Sequence, residues 1–168
     1  NAAQSFLSLL DPAPTAFTFQ TLDDVELSDS RKRKDGALVK VFNGTLEQHA
    51  STLADLNARG AGVFVTVNRT DLRGRRKENI VAARALWHED DDKGFARIFA
   101  PPPSLRVETS PGKYHRYWLC PDLTLEEHGA SMETMVAQHD SDRNAADVAR
   151  VLFRVRRLAR AYAHEVAA

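Results

Sequence analysis

Three observations predict a mixed α+β fold. Short stretches in which apolar and polar residues alternate recur along the chain, the period of half-buried strands. Two segments open with a Thr-x-x-Gln or Thr-x-x-Glu signature and continue with apolar residues at helical spacing. One Pro-Gly linker joins two alternating runs, as a hairpin requires. The length of 168 residues fits one domain spanning 1–168.

The elements follow in order. Asn1 to Leu10 is a short apolar segment, set off by Asp11-Pro12-Ala13-Pro14. Ala16 to Leu22 reads as a strand, because Phe17 and Phe19 alternate with Thr18 and Gln20. Ser28 to Gly36, centred on Arg31-Lys32-Arg33-Lys34, is a polar loop. Ala37 to Phe42 is strand-like, and Thr45 with Gln48 caps a helix carrying Leu46, Ala50, Leu53 and Leu56, stopped by Gly60. Ala61 to Val67 is β-rich, and the resulting strand–helix–strand unit favours parallel pairing. Asn68 to Lys77 is a basic loop. Asn79 to Ala83 fits a helical turn or a strand lead, and Arg84 to Glu89 a strand. After the stiff Pro101-Pro102-Pro103, Leu105 to Thr109 and Tyr114 to Leu119 form antiparallel strands around a type II turn at Pro111-Gly112. Thr124 with Glu127 opens a helix to about His139, and Ala145 to Ala163 reads as a closing arginine-rich helix.

Composition excludes several classes. Twenty-three basic residues balance 23 acidic ones, so a polyanion cannot be held by bulk positive charge, only by local basic clusters. The single cysteine, Cys120, rules out an intrachain disulfide and a cysteine zinc site. No apolar run is long enough to span a bilayer, and the first ten residues lack a secretory pattern. A cytoplasmic protein without membrane partners is the expectation.

Three constellations can carry chemistry. In Trp87-His88-Glu89-Asp90-Asp91-Asp92 an acidic cluster follows an apolar strand. Residues two apart on a strand share a face, so Glu89 and Asp91 project together. Such a pair suits a hard divalent ion, although a solvated acidic loop has the same composition. In Ser110-Pro111-Gly112-Lys113-Tyr114-His115-Arg116-Tyr117-Trp118, a turn and the donors Lys113, His115 and Arg116 can meet a phosphate, or the segment is an ordinary hairpin. The third is His139 to Arg143, continued by Asp147, Arg150, Arg154, Arg156, Arg157 and Arg160; at helical spacing Arg150, Arg154 and Arg157 share a face, for phosphate or for solvent. Arg73, Arg75, Arg76 and Lys77 form a basic loop able to contact nucleic-acid phosphates. His49, His128 and His164 read as packing or surface residues, and Cys120 as structural.

Together these segments resemble the RepB-type primase domain of plasmid and phage replication proteins, within the archaeo-eukaryotic primase superfamily. The resemblance is carried by Phe17 to Thr21, Gly60 to Asp71, Glu78-Asn79-Ile80, Arg84 to Trp87 with the acidic cluster, and Thr109 to Trp118; Asp142 to Leu152 follows as a weaker match. It runs from about residue 16 to 152. It implies an RRM-like catalytic sheet joined to an N-terminal α/β unit. It implies metal ligands at Glu89, Asp91 and Asp142 (Asp147 as fallback) for Mg²⁺ or Mn²⁺, and a triphosphate-contacting His115 with Ser110, Lys113 and Arg150 nearby. The implied activity is primer synthesis on a single-stranded DNA template from nucleoside triphosphates, with a helicase or further domains of the same replication protein as partners. Two departures stand out. Glu89 replaces the family's Asp, and the Arg-x-Pro-Gly expected after Leu152 is missing, so the tail 153–168 is divergent or truncated. An inactive remnant serving as a DNA-binding module of an initiator protein therefore stays open, as does a metal-dependent nuclease.

Overall fold

The computed structural model describes residues 2–13, 16–25, 27, 33–90, 98–139 and 146–155. Helix α1 (Ala2–Leu10) leads into strand β1 (Ala16–Asp23); a short 3₁₀ turn (Gly36–Leu38) precedes β2 (Lys40–Thr45) and helix α2 (Leu46–Ala58). Strand β3 (Ala61–Thr66), the small strands β4 (Arg69–Thr70) and β5 (Ile80–Ala82), and β6 (Ala85–Asp90) follow. The described chain closes with β7 (Leu105–Ser110), β8 (Lys113–Leu119), helix α3 (Leu125–His139) and β9 (Val151–Val155).

Both expected capping boxes form. Gln48 N donates to Thr45 Oγ1 at 3.1 Å while Thr45 N donates to Gln48 Oε1 at 2.8 Å. Glu127 N donates to Thr124 Oγ1 at 3.2 Å and Thr124 N donates to Glu127 Oε2 at 2.9 Å. Each box satisfies two backbone groups that a helix start leaves open, worth about 1 kcal/mol. Gly60, at φ 101°, takes the left-handed conformation that ends α2, where an added Cβ would strike Val25. Gly112, at φ 76°, supplies the positive φ that the type II turn between β7 and β8 demands.

Two sheets result. The first has the order β2-β1-β3-β9 and the second β6-β8-β7, both antiparallel; β4 pairs with β5 separately. The strands flanking α2 do run parallel, as the strand–helix–strand reading expects. They are not neighbours, however: β1 lies between them and pairs antiparallel with both. The crossover helix brings the chain over β1, a non-local arrangement that no local pattern records.

Among the described residues, 146–155, the closing helix expected from Ala145 is replaced by a strand. Val151–Val155 is a strand whose Val155, Leu152 and Val151 pair with Val63, Val65 and Thr66 of β3. Its run of branched and aromatic residues suits a pleat, and β3 offers an edge; those two factors outweigh the arginine spacing. Arg150 and Arg154 thus share no helical face, and Arg157 lies outside the described residues. The apolar start also gains a structure, since α1 buries Phe6, Leu7 and Leu10.

One core unites these parts. Phe6, Phe17, Phe19, Val63, Val65, Trp87, Leu105, Val107, Tyr117, Met132 and Leu152 form a single cluster between α1, both sheets and α3. Phe6 meets Tyr117 edge-on at 5.2 Å between centroids, a favoured aromatic geometry. The opposite face of β6 and β8 is covered by Phe99, which packs on His88, Trp118 and His139. No helix among the described residues is long and apolar enough to cross a membrane.

Candidate active site

The alternation of β6 and β8 sets the site. Trp87 and Glu89 lie on one face of β6, two residues apart; Tyr117 and His115 face the same way on β8. The antiparallel register puts Trp87 opposite Tyr117 and Glu89 opposite His115. Directly opposed residues carry Cβ atoms about 5 Å apart on a common face. Trp87 and Tyr117, at 1% and 0% exposure, are the apolar floor, and Glu89 with His115 forms the next row out. His115 is itself 9% exposed, with Nδ1 closed off from solvent. Lys113 shares that face by alternation.

A third residue arrives from the turn that leads into β9. Arg150 Nε donates to Glu89 Oε1 at 2.7 Å and its NH2 donates to Glu89 Oε2 at 2.9 Å. This is the two-pronged guanidinium–carboxylate geometry, with both bonds charge-assisted. The backbone beneath it is tightly fastened. Val67 N donates to Arg150 O, Arg150 N to Asp147 O, Asn68 Nδ2 to Val148 O, and Arg75 to Ala149 O. Arg150, Glu89 and His115 are thereby brought together from segments far apart in the chain.

The remaining candidates divide clearly. Ser110 pairs with Lys113 across the hairpin. Asp91 and Asp142 lie outside the described residues. Asp147 is exposed and caps its own turn, its Oδ1 accepting from Ala149 N at 3.1 Å. Arg116 is a correction: it neighbours His115 in sequence, so it points to the opposite face, 5% exposed and stacked over Phe99 at 5.1 Å and Tyr114 at 5.6 Å. A phosphate beside His115 is out of its reach. Cys120 has its thiol pushed upward by burial, which suits the structural role rather than a nucleophile.

The basic loop lines an open cleft of 610 Å³ together with Val41 and Asn43 of β2; Arg73, Arg75 and Arg76 contribute to its wall. Arg73 and Arg76 are exposed, as is Lys77, whereas Arg75 reaches the Ala149 carbonyl and ties the loop to the segment carrying Arg150. A cleft with this basic wall can hold a polyanion.

Among the described residues no group of three or more His, Cys, Asp or Glu converges as a metal cage. The carboxylate of Glu89 nevertheless fits a divalent cation by its chemistry. It is an all-oxygen donor whose side chain is only 12% exposed, and it already holds a positive group against both oxygens. A hard ion such as Mg²⁺ or Mn²⁺ suits the same donor.

Sequence reasoning missed the residues that hold this site together. Asn68 is fully buried at the junction of β3, β4 and β6, its Oδ1 accepting from Arg84 N at 2.9 Å. Arg84, 4% exposed at the entrance to β6, donates to Asp11 Oδ2 at 2.6 Å and stacks over Phe17. His128 is fully buried against Trp87, and its Nε2–H donates to Ala85 O at 3.0 Å. Burial holds its imidazole below the usual range, so it stays neutral. Its packing role agrees with expectation. Asp11 and Arg84 carry no local signal, because their pairing spans 73 positions.

The arrangement of these two sheets on one core is shared by solved structures. The chain is similar to the archaeo-eukaryotic-primase (AEP) domain of the cyanophage S-2L primase-polymerase, with a TM-score of 0.68, 20% identity, and coverage of 90% of this chain and 80% of that one. It is similar to primase RepB′, with a TM-score of 0.58 at 18% identity, covering 96% of this chain and 54% of that one. The RepB′ catalytic domain in complex with initiator DNA matches at a TM-score of 0.51 and 20% identity, over 82% of this chain and 66% of that one. The likeness is one of fold, and it bears out the primase-like architecture expected from the sequence. No family model and no curated protein matches the chain.

Proposed function

We propose that the chain is a primase-like nucleotidyltransferase that synthesises primers on single-stranded DNA in plasmid or phage replication, acting in the cytoplasm. The observation that carries this reading is the placement of Glu89 directly opposite His115 on adjacent strands, in a fold shared with primases. The reaction joins a 3′-hydroxyl oxygen to the α-phosphorus of a nucleoside triphosphate and releases pyrophosphate.

Glu89, with Asp91 and Asp142, would hold Mg²⁺ or Mn²⁺. Bound there, the ions would lower the pKa of the attacking hydroxyl and neutralise the departing pyrophosphate. His115 would meet the triphosphate, and Lys113 on the same face would add a point charge. Ser110 sits at the mouth of the hairpin with them. Arg150 offers a planar fork that fits a phosphate as well as it fits a carboxylate. Arg73, Arg75, Arg76 and Lys77 track template phosphates along the cleft, which makes template affinity fall with salt. A helicase or further domains of the same replication protein would supply the opened template.

The Glu89–Arg150 ion pair favours a second reading, since a carboxylate held this way is neutralised where a metal ligand is needed. On that reading the chain is a non-catalytic DNA-binding module of an initiator. Labelled nucleotide incubated with the wild-type chain, single-stranded DNA and Mg²⁺ or Mn²⁺ separates the two. Template-dependent extension abolished by chelation is the expected result. A mobility shift without extension supports the binding module, and shortening of the DNA supports a nuclease; either outcome removes the primase reading.

A further inference from the structure

The bidentate pair at the site has a consequence for ligand binding. Both Glu89 oxygens carry a short bond to Arg150, at 2.7 and 2.9 Å. A divalent ion on Glu89 needs the same oxygen lone pairs, and it would stand against a guanidinium of like charge. A triphosphate, for its part, offers Arg150 another planar, bidentate anion. The two ligands therefore act on one element with two states, Arg150 on Glu89 and Arg150 released.

We infer that Arg150 is a gate: in the nucleotide-free chain it substitutes for the cation at Glu89, and the incoming triphosphate draws it away and opens the carboxylate to metal. This rests on the proposed role of Glu89 as a metal ligand and adds the order in which the site assembles. Whichever ligand binds first bears the cost of breaking the pair, so the second binds more tightly. Local geometry supports a side-chain movement rather than a backbone one. The 147–150 segment is fixed by bonds to Val67, Asn68 and Arg75, whereas the Arg150 side chain keeps 31% exposure. Metal binding without nucleotide is suppressed, which keeps the site from holding ions unproductively.

The gate makes two reciprocal expectations that a merely structural ion pair does not. Arg150→Gln should bind Mn²⁺ more tightly than wild type in the absence of nucleotide, by roughly five- to 150-fold, the usual span of such couplings. Glu89→Gln should bind a nucleoside triphosphate more tightly than wild type in the presence of EDTA, because Arg150 no longer has a competing carboxylate. Free Mn²⁺ is read from its electron paramagnetic resonance signal, and nucleotide by calorimetry, each after circular dichroism has verified folding. Arg150→Lys keeps the charge but loses the fork, and its Mn²⁺ affinity should fall between those of wild type and Arg150→Gln. This milder variant carries the test if the glutamine variant does not fold. Unchanged or weaker Mn²⁺ binding in both Arg150 variants overturns the gate. If adding Glu89→Gln to the Arg150→Gln background then abolishes binding, the metal role of Glu89 stands without the gate. If neither wild type nor the Arg150 variants bind Mn²⁺, both readings fall together.

Discussion

Asp11→Ala removes the carboxylate that fastens α1 to the entrance of β6, the strand carrying Glu89. Asp11 is 7% exposed and sits 2.6 Å from Arg84 Nε, on a guanidinium that is 4% exposed. Burial pushes the Arg84 pKa downward and the Asp11 hydrogen bond works against that shift. Deleting one member of a buried pair leaves the other uncompensated, at a cost of about 3–5 kcal/mol. The longer contacts to the Val67 and Asn68 carbonyls, at 3.5 and 3.4 Å, and the Phe17 ring beneath soften this toward the lower end. A domain of this size has only ~5–15 kcal/mol in total. At ~2–4 °C per kcal/mol for chains of 150–250 residues, the melting temperature should fall by ~6–20 °C. Arg69→Ala is the internal control. Arg69 touches the same carboxylate at 3.0 Å but is 46% exposed, so its loss should cost no more than ~1 kcal/mol. Thermal unfolding followed by circular dichroism reads both variants. Equal shifts for Asp11→Ala and Arg69→Ala would refute the claim that the buried Arg84 contact is the anchor.

Asp91→Ala should abolish nucleotide incorporation without unfolding the domain, as read by activity assay and circular dichroism; full activity in that variant removes Asp91 from the metal set. Stability should fall as pH drops below about 6.5. His128 is held neutral in the fold, so the unfolded chain binds the extra proton there, with a limiting slope of about 1.4 kcal/mol per pH unit. His128→Gln should flatten that slope in denaturant titrations between pH 7 and 5, and an unchanged slope assigns the acid sensitivity elsewhere. Replacing both Arg73 and Arg76 with alanine should weaken single-stranded DNA binding at low salt and reduce the log–log salt slope by about 0.7 per lost phosphate contact. An unaltered slope would move the template path away from the cleft.

Local signals in the sequence were reliable where the structure is local. Thr45 with Gln48 and Thr124 with Glu127 start helices because each box closes within three residues. Gly112 marks its turn because only the positive φ fits. The alternation of β6 and β8 also predicts which side chains face together, and applied to His115 and Arg116 it already places the two on opposite faces. What was not legible depends on distant pairing. The strand at Val151–Val155 exists because β3 has an open edge, which arginine spacing cannot report. The insertion of β1 between the strands flanking α2 is likewise a property of the sheet. Arg150 reaches Glu89 across 61 positions; the resemblance placed both in one site, but their direct ion pair was not legible.

The most direct measurement is single-turnover incorporation of one labelled nucleotide, on a primed single-stranded template in Mg²⁺, by wild type and Glu89→Gln. The substitution keeps the size of the side chain but removes its charge and one of the two oxygens that accept from Arg150. Loss of incorporation by at least about a hundredfold, with template affinity unchanged, is the outcome predicted for a carboxylate that anchors catalytic ions. Incorporation by Glu89→Gln at the wild-type rate would place the chemistry away from the strand pair that joins residue 89 to residue 115.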